Sequence, residues 1–131
     1  MSKPIRNITI TTLDEKSREV SAVFDTGSFY TIIREDRLPI GAVMEQQTKP
    51  LEFGTASQGG KLRVKGGIIF VMTIGEKMIK DDALVSPDLA RDMLIGAKTM
   101  QAWDISILNK SGKTEIIVGH DMRDPDITEV D

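Results

Sequence analysis

The sequence predicts a small, mainly β domain, closed or sandwiched, with one late helix. Three observations point there. Short runs rich in Ile, Val, Thr and Phe recur along the chain, several of them alternating apolar with polar residues. Gly, Pro, Asn and Asp interrupt these runs at short intervals. The one stretch that suits a short helix, Ala97 to Trp103, comes near the end, with Met100 and Trp103 three apart on one face.

Taken in order, Ile5 to Leu13 reads as a strand with one buried face, marked by Ile8 and Ile10, and Asp14-Glu15-Lys16-Ser17 as a polar turn. Arg18 to Phe24 places Val20, Ala22 and Phe24 on one side and runs directly into Asp25. Ile32 and Ile33 begin the next strand. Arg34 to Pro50, broken by Pro39-Ile40-Gly41, is read as a loop plus one short strand. Leu51 to Phe53 and Lys61 to Lys65 are two short strands around a glycine-rich tip, Gly54 to Gly60; on these residues alone the tip is a simple exposed turn. Ile68 to Ile74 is the strongest strand signal, Gly75-Glu76-Lys77 turns it, and Met78 to Val85 returns as its partner. Ser86-Pro87-Asp88 breaks that strand and caps a short helical turn over Leu89 to Asp92. Met93-Leu94-Ile95-Gly96 leads into the helix. Asp104 to Leu108 and Thr114 to Val118 close the chain as strands around the turn Asn109 to Gly112.

Length and composition bound the function. A chain of 131 residues with 40% apolar and 28% charged residues reads as one ordinary soluble globular domain. We divide it into a domain over 1–119 and an acidic tail over 120–131, where five acids face Arg123 alone. Cysteine is absent and His120 is the single histidine, so thiolate chemistry and a histidine-rich metal site are excluded, and neither metal nor cofactor is expected. Four Phe, one Tyr and one Trp, with no basic face, argue against nucleic-acid binding. The run Ile68 to Ile74 falls far short of the ~20 residues that span a bilayer, and no apolar signal segment follows Met1, so a cytoplasmic location is expected without membrane association. Asp81, Asp82 and the tail acids are read as solvated charge, His120 as an exposed linker residue, Asp104 as a strand start, and Trp103 and Met44, Met72, Met78, Met93 and Met100 as core filling.

One stretch stands apart: Val23-Phe24-Asp25-Thr26-Gly27-Ser28-Phe29-Tyr30-Thr31-Ile32-Ile33 holds a carboxylate on a tight turn between two strands. An ionised carboxylate in such a setting needs hydrogen bonds or a partner. Thr26 offers a hydroxyl, Gly27 permits close approach of another group, and Ser28 can donate to the carboxylate oxygen that faces away from a substrate.

Asp25-Thr26-Gly27-Ser28 resembles the active-site loop of aspartic proteases, and its setting in a short chain is similar to the single-domain, retropepsin-like branch. Two further landmarks of that family follow in order. The tip Gly54-Thr55-Ala56-Ser57-Gln58-Gly59-Gly60 resembles its flap, and Leu94-Ile95-Gly96 resembles the glycine motif that packs on the loop ahead of the helix. The resemblance spans about residues 5 to 118. It departs at Phe29 and Ala97, where retroviral members usually carry an Asp–Arg ion pair, and Ser28 is similar to the pepsin-like motif; the chain thus resembles a cellular branch of the fold.

The resemblance implies a closed β-barrel of the acid-protease type with one short C-terminal helix, and an endopeptidase working through two carboxylates that share one proton. Like charges a few ångströms apart cannot both ionise, so one acid serves as base and the other as acid, with a mildly acidic optimum. Only one Asp-Thr-Gly occurs and Asp-Ser-Gly is absent, so the second carboxylate has to come from another copy, and a two-fold homodimer acting on peptide or protein follows. Thr26 would bond across the axis, Gly27 and Ser28 would fix the carboxylates, and residues 54–60 would cover the substrate. A non-catalytic dimeric peptide-binding or scaffolding module of the same fold is the alternative. A monomeric small-molecule-binding barrel is a third reading, which gives Asp25 no reason for its setting.

Overall fold

The computed structural model describes residues 4–54 and 61–124. The expected tip Thr55 to Gly60 and the tail beyond Asp124 lie outside the described residues.

Alternation builds the barrel. Strands β1 (Ile5–Thr12) and β2 (Ser17–Phe24) form a hairpin whose inward positions are Ile8, Ile10 and Thr12, and Val20, Ala22 and Phe24. After the Asp25 turn come β3 (Ile32–Arg34), a 3₁₀ turn (Glu35–Arg37), and β4 (Glu45–Gly54). Strand β5 (Lys61–Ile74) pairs along nine positions with β6 (Lys77–Ser86). Strand β7 (Met93–Ile95), helix α1 (Ala97–Ala102) and the hairpin of β8 (Ile105–Lys110) and β9 (Lys113–Val118) complete the described elements.

Six strands close on themselves in the order β1-β2-β7-β3-β6-β5, with β5 returning to β1 through Thr9–Thr12 against Phe70–Thr73. Closure removes the open edges that a flat sheet would leave. Its interior holds Phe24, Phe70, Ile10, Met72, Ile79 and Ile95 at almost no exposure. Strand β4 stands outside the ring and, among the described residues, pairs only to β5. Where β4, β5 and β3 leave the barrel, a second apolar cluster forms from Ile32, Leu62, Val64 and Leu89, with Phe53, Leu84 and Leu94 packed on it.

Three local expectations change. The segments Lys61 to Lys65 and Ile68 to Ile74 are one 14-residue strand, because Gly66-Gly67 serves close packing rather than a turn. A Cβ on Gly66 would lie 2.2 Å from the Glu45 carbonyl oxygen, so glycine admits β4 at this point, and the β4 register slips between Gln46 and Leu51. Strand β4 is correspondingly longer than the short strand expected. Leu89 to Asp92 forms bends and no helix, since the acids there bond to distant partners: Asp88 to Arg63, and Asp92 to Ser21 N–H, Arg34 and Arg37.

Met72, Met93 and Met100 are core residues, with Met44 and Trp103 packed at the edge. Asp104 precedes β8 with φ +50° and pairs with His120, which also stacks on Trp103. Asp121 is buried, accepting the Met78 N–H at 3.0 Å and pairing with Arg123, while Met122 N–H donates to the Met78 carbonyl. Among the described residues no helix is long and apolar enough to cross a membrane.

Candidate active site

Asp25 sits where β2 leaves the barrel, one residue after the buried Phe24. Its N–H donates to the Ile95 carbonyl at 2.9 Å, extending the parallel β2–β7 pairing by one step. The chain then doubles back: Ser28 N–H donates to the Asp25 carbonyl at 3.2 Å, and Gly27 N–H donates to Asp25 Oδ1 at 2.9 Å. Space at Gly27 is tight, since a Cβ there would lie 3.1 Å from that same carboxylate oxygen, which would have to give by a few tenths of an ångström. Asp25, Thr26 and Gly27 are exposed, and among the described residues the carboxylate takes a single hydrogen bond. Its free oxygen can therefore meet water, a substrate or another acid.

Ser28 differs from expectation. Its hydroxyl donates to the Tyr30 carbonyl at 3.0 Å and not to the Asp25 carboxylate, tightening the far side of the turn.

Gly96 packs so closely on the loop that a Cβ would sit 2.3 Å from the Tyr30 carbonyl oxygen and 2.6 Å from that of Phe29. The first amides of α1 are then taken by the loop: Ala97 N–H donates to the Ser28 carbonyl at 2.6 Å and Lys98 N–H to that of Phe29 at 2.9 Å. Backbone bonds thus join the loop to α1 where retroviral members would place an ion pair. Ile95 is fully buried, and Leu94 pairs with both Val23 and Ile32.

Sequence reasoning missed two hydroxyls behind the loop. Thr31 and Thr99 are both buried, their Oγ1 atoms 2.6 Å apart, and Thr31 Oγ1 accepts the Gly96 N–H at 3.1 Å. A Thr in the middle of a short helix was a faint signal, because such a residue is a modest helix former unless its hydroxyl has another task. Nearby, Asp81 is partly buried rather than solvated, and burial followed by the adjacent Asp82 pushes its carboxyl up. Hydrogen bonding to Asp81, assisted by Lys98, holds Asp82 down. Among the described residues no three His, Cys, Asp or Glu gather to hold a metal.

The paired ends of β4 and β5 next to residues 55–60 are held by several bonds. Gly54 ends β4 opposite Lys61, and among the described residues nothing lies within 4 Å of where its Cβ would be. Two residues further along β5, Arg63 grips both Asp88 carboxylate oxygens at 2.9 Å, and Arg63 N–H adds a third bond at 3.0 Å. These bonds lower Asp88 from its ordinary 3.8 to about 2. A depressed carboxylate stabilises the fold above its ordinary value, and that stabilisation is lost as pH falls through about 2. Asp88→Asn should therefore lower stability at pH 6 and flatten the decline of Tm between pH 4 and pH 2, as read by circular dichroism melts.

No protein-family model matches the sequence, and no curated protein does. Solved structures do. The retroviral protease-like domain of Ddi1 from Leishmania major superposes with TM-score 0.63 at 16% identity, covering 93% of this chain and 99% of that one. EIAV protease, in complex with the inhibitor HBY-793, superposes with TM-score 0.60 at 16% identity, covering 82% of this chain and 93% of that one. The fold is retropepsin-like. At this identity the likeness establishes the retropepsin-like barrel and nothing finer.

Proposed function

We propose that the chain is an aspartic endopeptidase whose active site forms when two copies bring their Asp25 loops together on a two-fold axis. The observation that carries the reading is the Asp25 carboxylate itself: exposed, fixed by Gly27 N–H, and set on a loop tied to β7 and α1 within a retropepsin-like fold. One carboxylate cannot act as base and acid together. Paired across the axis, the ionised Asp25 takes a proton from a bound water as the water attacks the scissile carbonyl. The protonated Asp25 of the second copy donates to the carbonyl oxygen, and a proton then passes to the leaving amine. Thr26, which shares a groove with Ala97, Gln101 and Ser106, faces the second copy and steadies the pair. The arm carried by β4 and β5 lies over an extended peptide whose backbone pairs with strand edges.

Mixing wild-type and Asp25→Asn protein tests the shared dyad. With free exchange of protomers, dimers bearing both acids fall as the square of the wild-type fraction, so an equimolar mixture retains about a quarter of the activity. A retained half would mean that each copy works alone. A non-catalytic peptide-binding module would show no cleavage in any mixture, with peptide binding intact.

A further inference from the structure

Strand β6 turns Ile79, Ala83 and Val85 into the barrel core, and Asp81 falls on the same face of the strand. Its partner across the ladder is Phe70 of β5, which is fully buried. A carboxyl in such a series gives up hydration, and an apolar residue would fit the pattern without that cost. Catalysis by paired Asp25 residues makes no use of it.

What Asp81 touches supplies a use. Its Oδ1 accepts the Asp82 N–H at 2.8 Å, and the Thr99 hydroxyl of α1 hydrogen-bonds to its carboxyl. Thr99 Oγ1 lies 2.6 Å from Thr31 Oγ1, and Thr31 Oγ1 accepts the Gly96 N–H at 3.1 Å. Each hydroxyl has one proton to give. An ionised Asp81 only accepts, so Thr99 donates to it and Thr31 in turn donates to Thr99. Both threonines are buried, so each proton goes to its neighbour rather than to bulk water. The row of bonds ends at Gly96, the residue seated against the Phe29 and Tyr30 carbonyls at the base of the Asp25 loop.

The geometry points to Asp81 as a positioning residue: its negative charge, passed along the Thr99 and Thr31 hydroxyls, holds the Gly96 amide and with it the seat of the Asp25 loop. The inference rests on the endopeptidase reading for its consequence in catalysis and adds a carboxyl that acts through other residues. Charge-assisted hydrogen bonds are roughly twice as strong as neutral ones, and bonds in a row polarise one another. The charged groups around Asp81 are Asp82 beside it and Lys98 of α1, whose Nζ lies 3.6 Å from Asp82; Asp14, Glu45 and Lys80 line the groove through which solvent reaches the acid pair. Burial and the adjacent Asp82 both favour a proton on Asp81, which places its titration above the ordinary 3.8. Once protonated it presents a neutral oxygen to Thr99, so the hold on Gly96 is full above that titration and weakens as pH falls through it.

The test follows the Gly96 amide of the full chain by proton–nitrogen correlation NMR across pH 3 to 8, in Asp25→Asn protein so that the paired acids do not titrate. The Gly96 amide proton should shift with a midpoint above 3.8. Asp25→Asn protein that also carries Asp81→Asn or Thr99→Val should lose that shift, whereas Thr99→Ser, which keeps the hydroxyl, should retain it. With Asp25 intact, Asp81→Asn should lower kcat on peptide at pH 6 by about tenfold while KM stays unchanged. An amide that titrates alike in every variant, or fails to titrate in the first, overturns the relay, and cleavage by wild type would leave the endopeptidase reading standing. An unchanged kcat for Asp81→Asn in an active enzyme also overturns it. A shift that depends on Asp81 and Thr99 in a protein that cleaves no peptide keeps the relay and removes the endopeptidase reading. Where Asp81→Asn or Thr99→Val melts early, Asp82→Asn decides. Without the neighbour that favours its protonation, Asp81 and the Gly96 midpoint should fall toward 3.8, and an unmoved midpoint overturns the proposal.

Discussion

Asp25→Asn should reduce peptide hydrolysis by on the order of 10⁴-fold, leaving dimer formation and Tm close to wild type. The asymmetry between activity and stability follows from the geometry. Asn retains an oxygen to accept the Gly27 N–H, and the bond from Asp25 N–H to the Ile95 carbonyl involves backbone alone, so the turn keeps its supports. What disappears is the group that can exchange a proton with water, and in a symmetric pair it disappears twice. Digestion of a peptide library across pH 4 to 8, beside sedimentation of both proteins, makes the comparison. Equal rates in the Asn variant would remove Asp25 from the chemistry whatever the fold.

Gly96→Ala should be the most damaging single methyl group in the site region. Gly96 has φ −92°, a value any residue adopts, so the requirement is for space and not for torsional freedom. An added Cβ would meet the Tyr30 carbonyl oxygen at 2.3 Å, the Tyr30 carbonyl carbon at 2.5 Å and the Phe29 oxygen at 2.6 Å. All three are backbone atoms that cannot swing aside. Relief requires α1 or the Asp25 loop to move, straining the bonds from Ala97 and Lys98 N–H and from Gly96 N–H to Thr31. Overpacking of this kind costs about 3 kcal/mol, or about 10 °C in Tm for a domain of this size. Gly54→Ala is the thermal control, since among the described residues nothing lies within 4 Å of its added carbon. A Gly96→Ala protein melting within a degree of wild type would mean the loop and helix are far softer than their contacts imply.

Much of the barrel was legible because a half-buried strand repeats every two residues, and β1, β2 and β5 each keep one apolar face in step. The Asp25 turn was legible for a related reason: a charge between two apolar strands needs local support. What the sequence hid was tertiary. Gly66 reads as a break when the strand beside it is unknown, and as a close approach only once β4 is seen crossing it. Asp88 and Asp92 look like turn and cap residues, yet their partners Arg63, Ser21, Arg34 and Arg37 are remote in sequence. Thr31 and Thr99 carry no spacing that announces their contact, and the Ser28 hydroxyl bonds to the Tyr30 carbonyl, a backbone partner that residue type alone does not announce.

The ring closes through pairings between distant parts of the chain, Thr9 with Thr73 and Ala22 with Met93, the latter roughly seventy residues apart. A growing polypeptide thus contains the aspartate early but lacks, until β7 and α1 have been made, the carbonyl and the amides that give it a fixed direction. The site is completed late in synthesis, and a chain cut short before Ile95 carries the acid without the machinery that orients it.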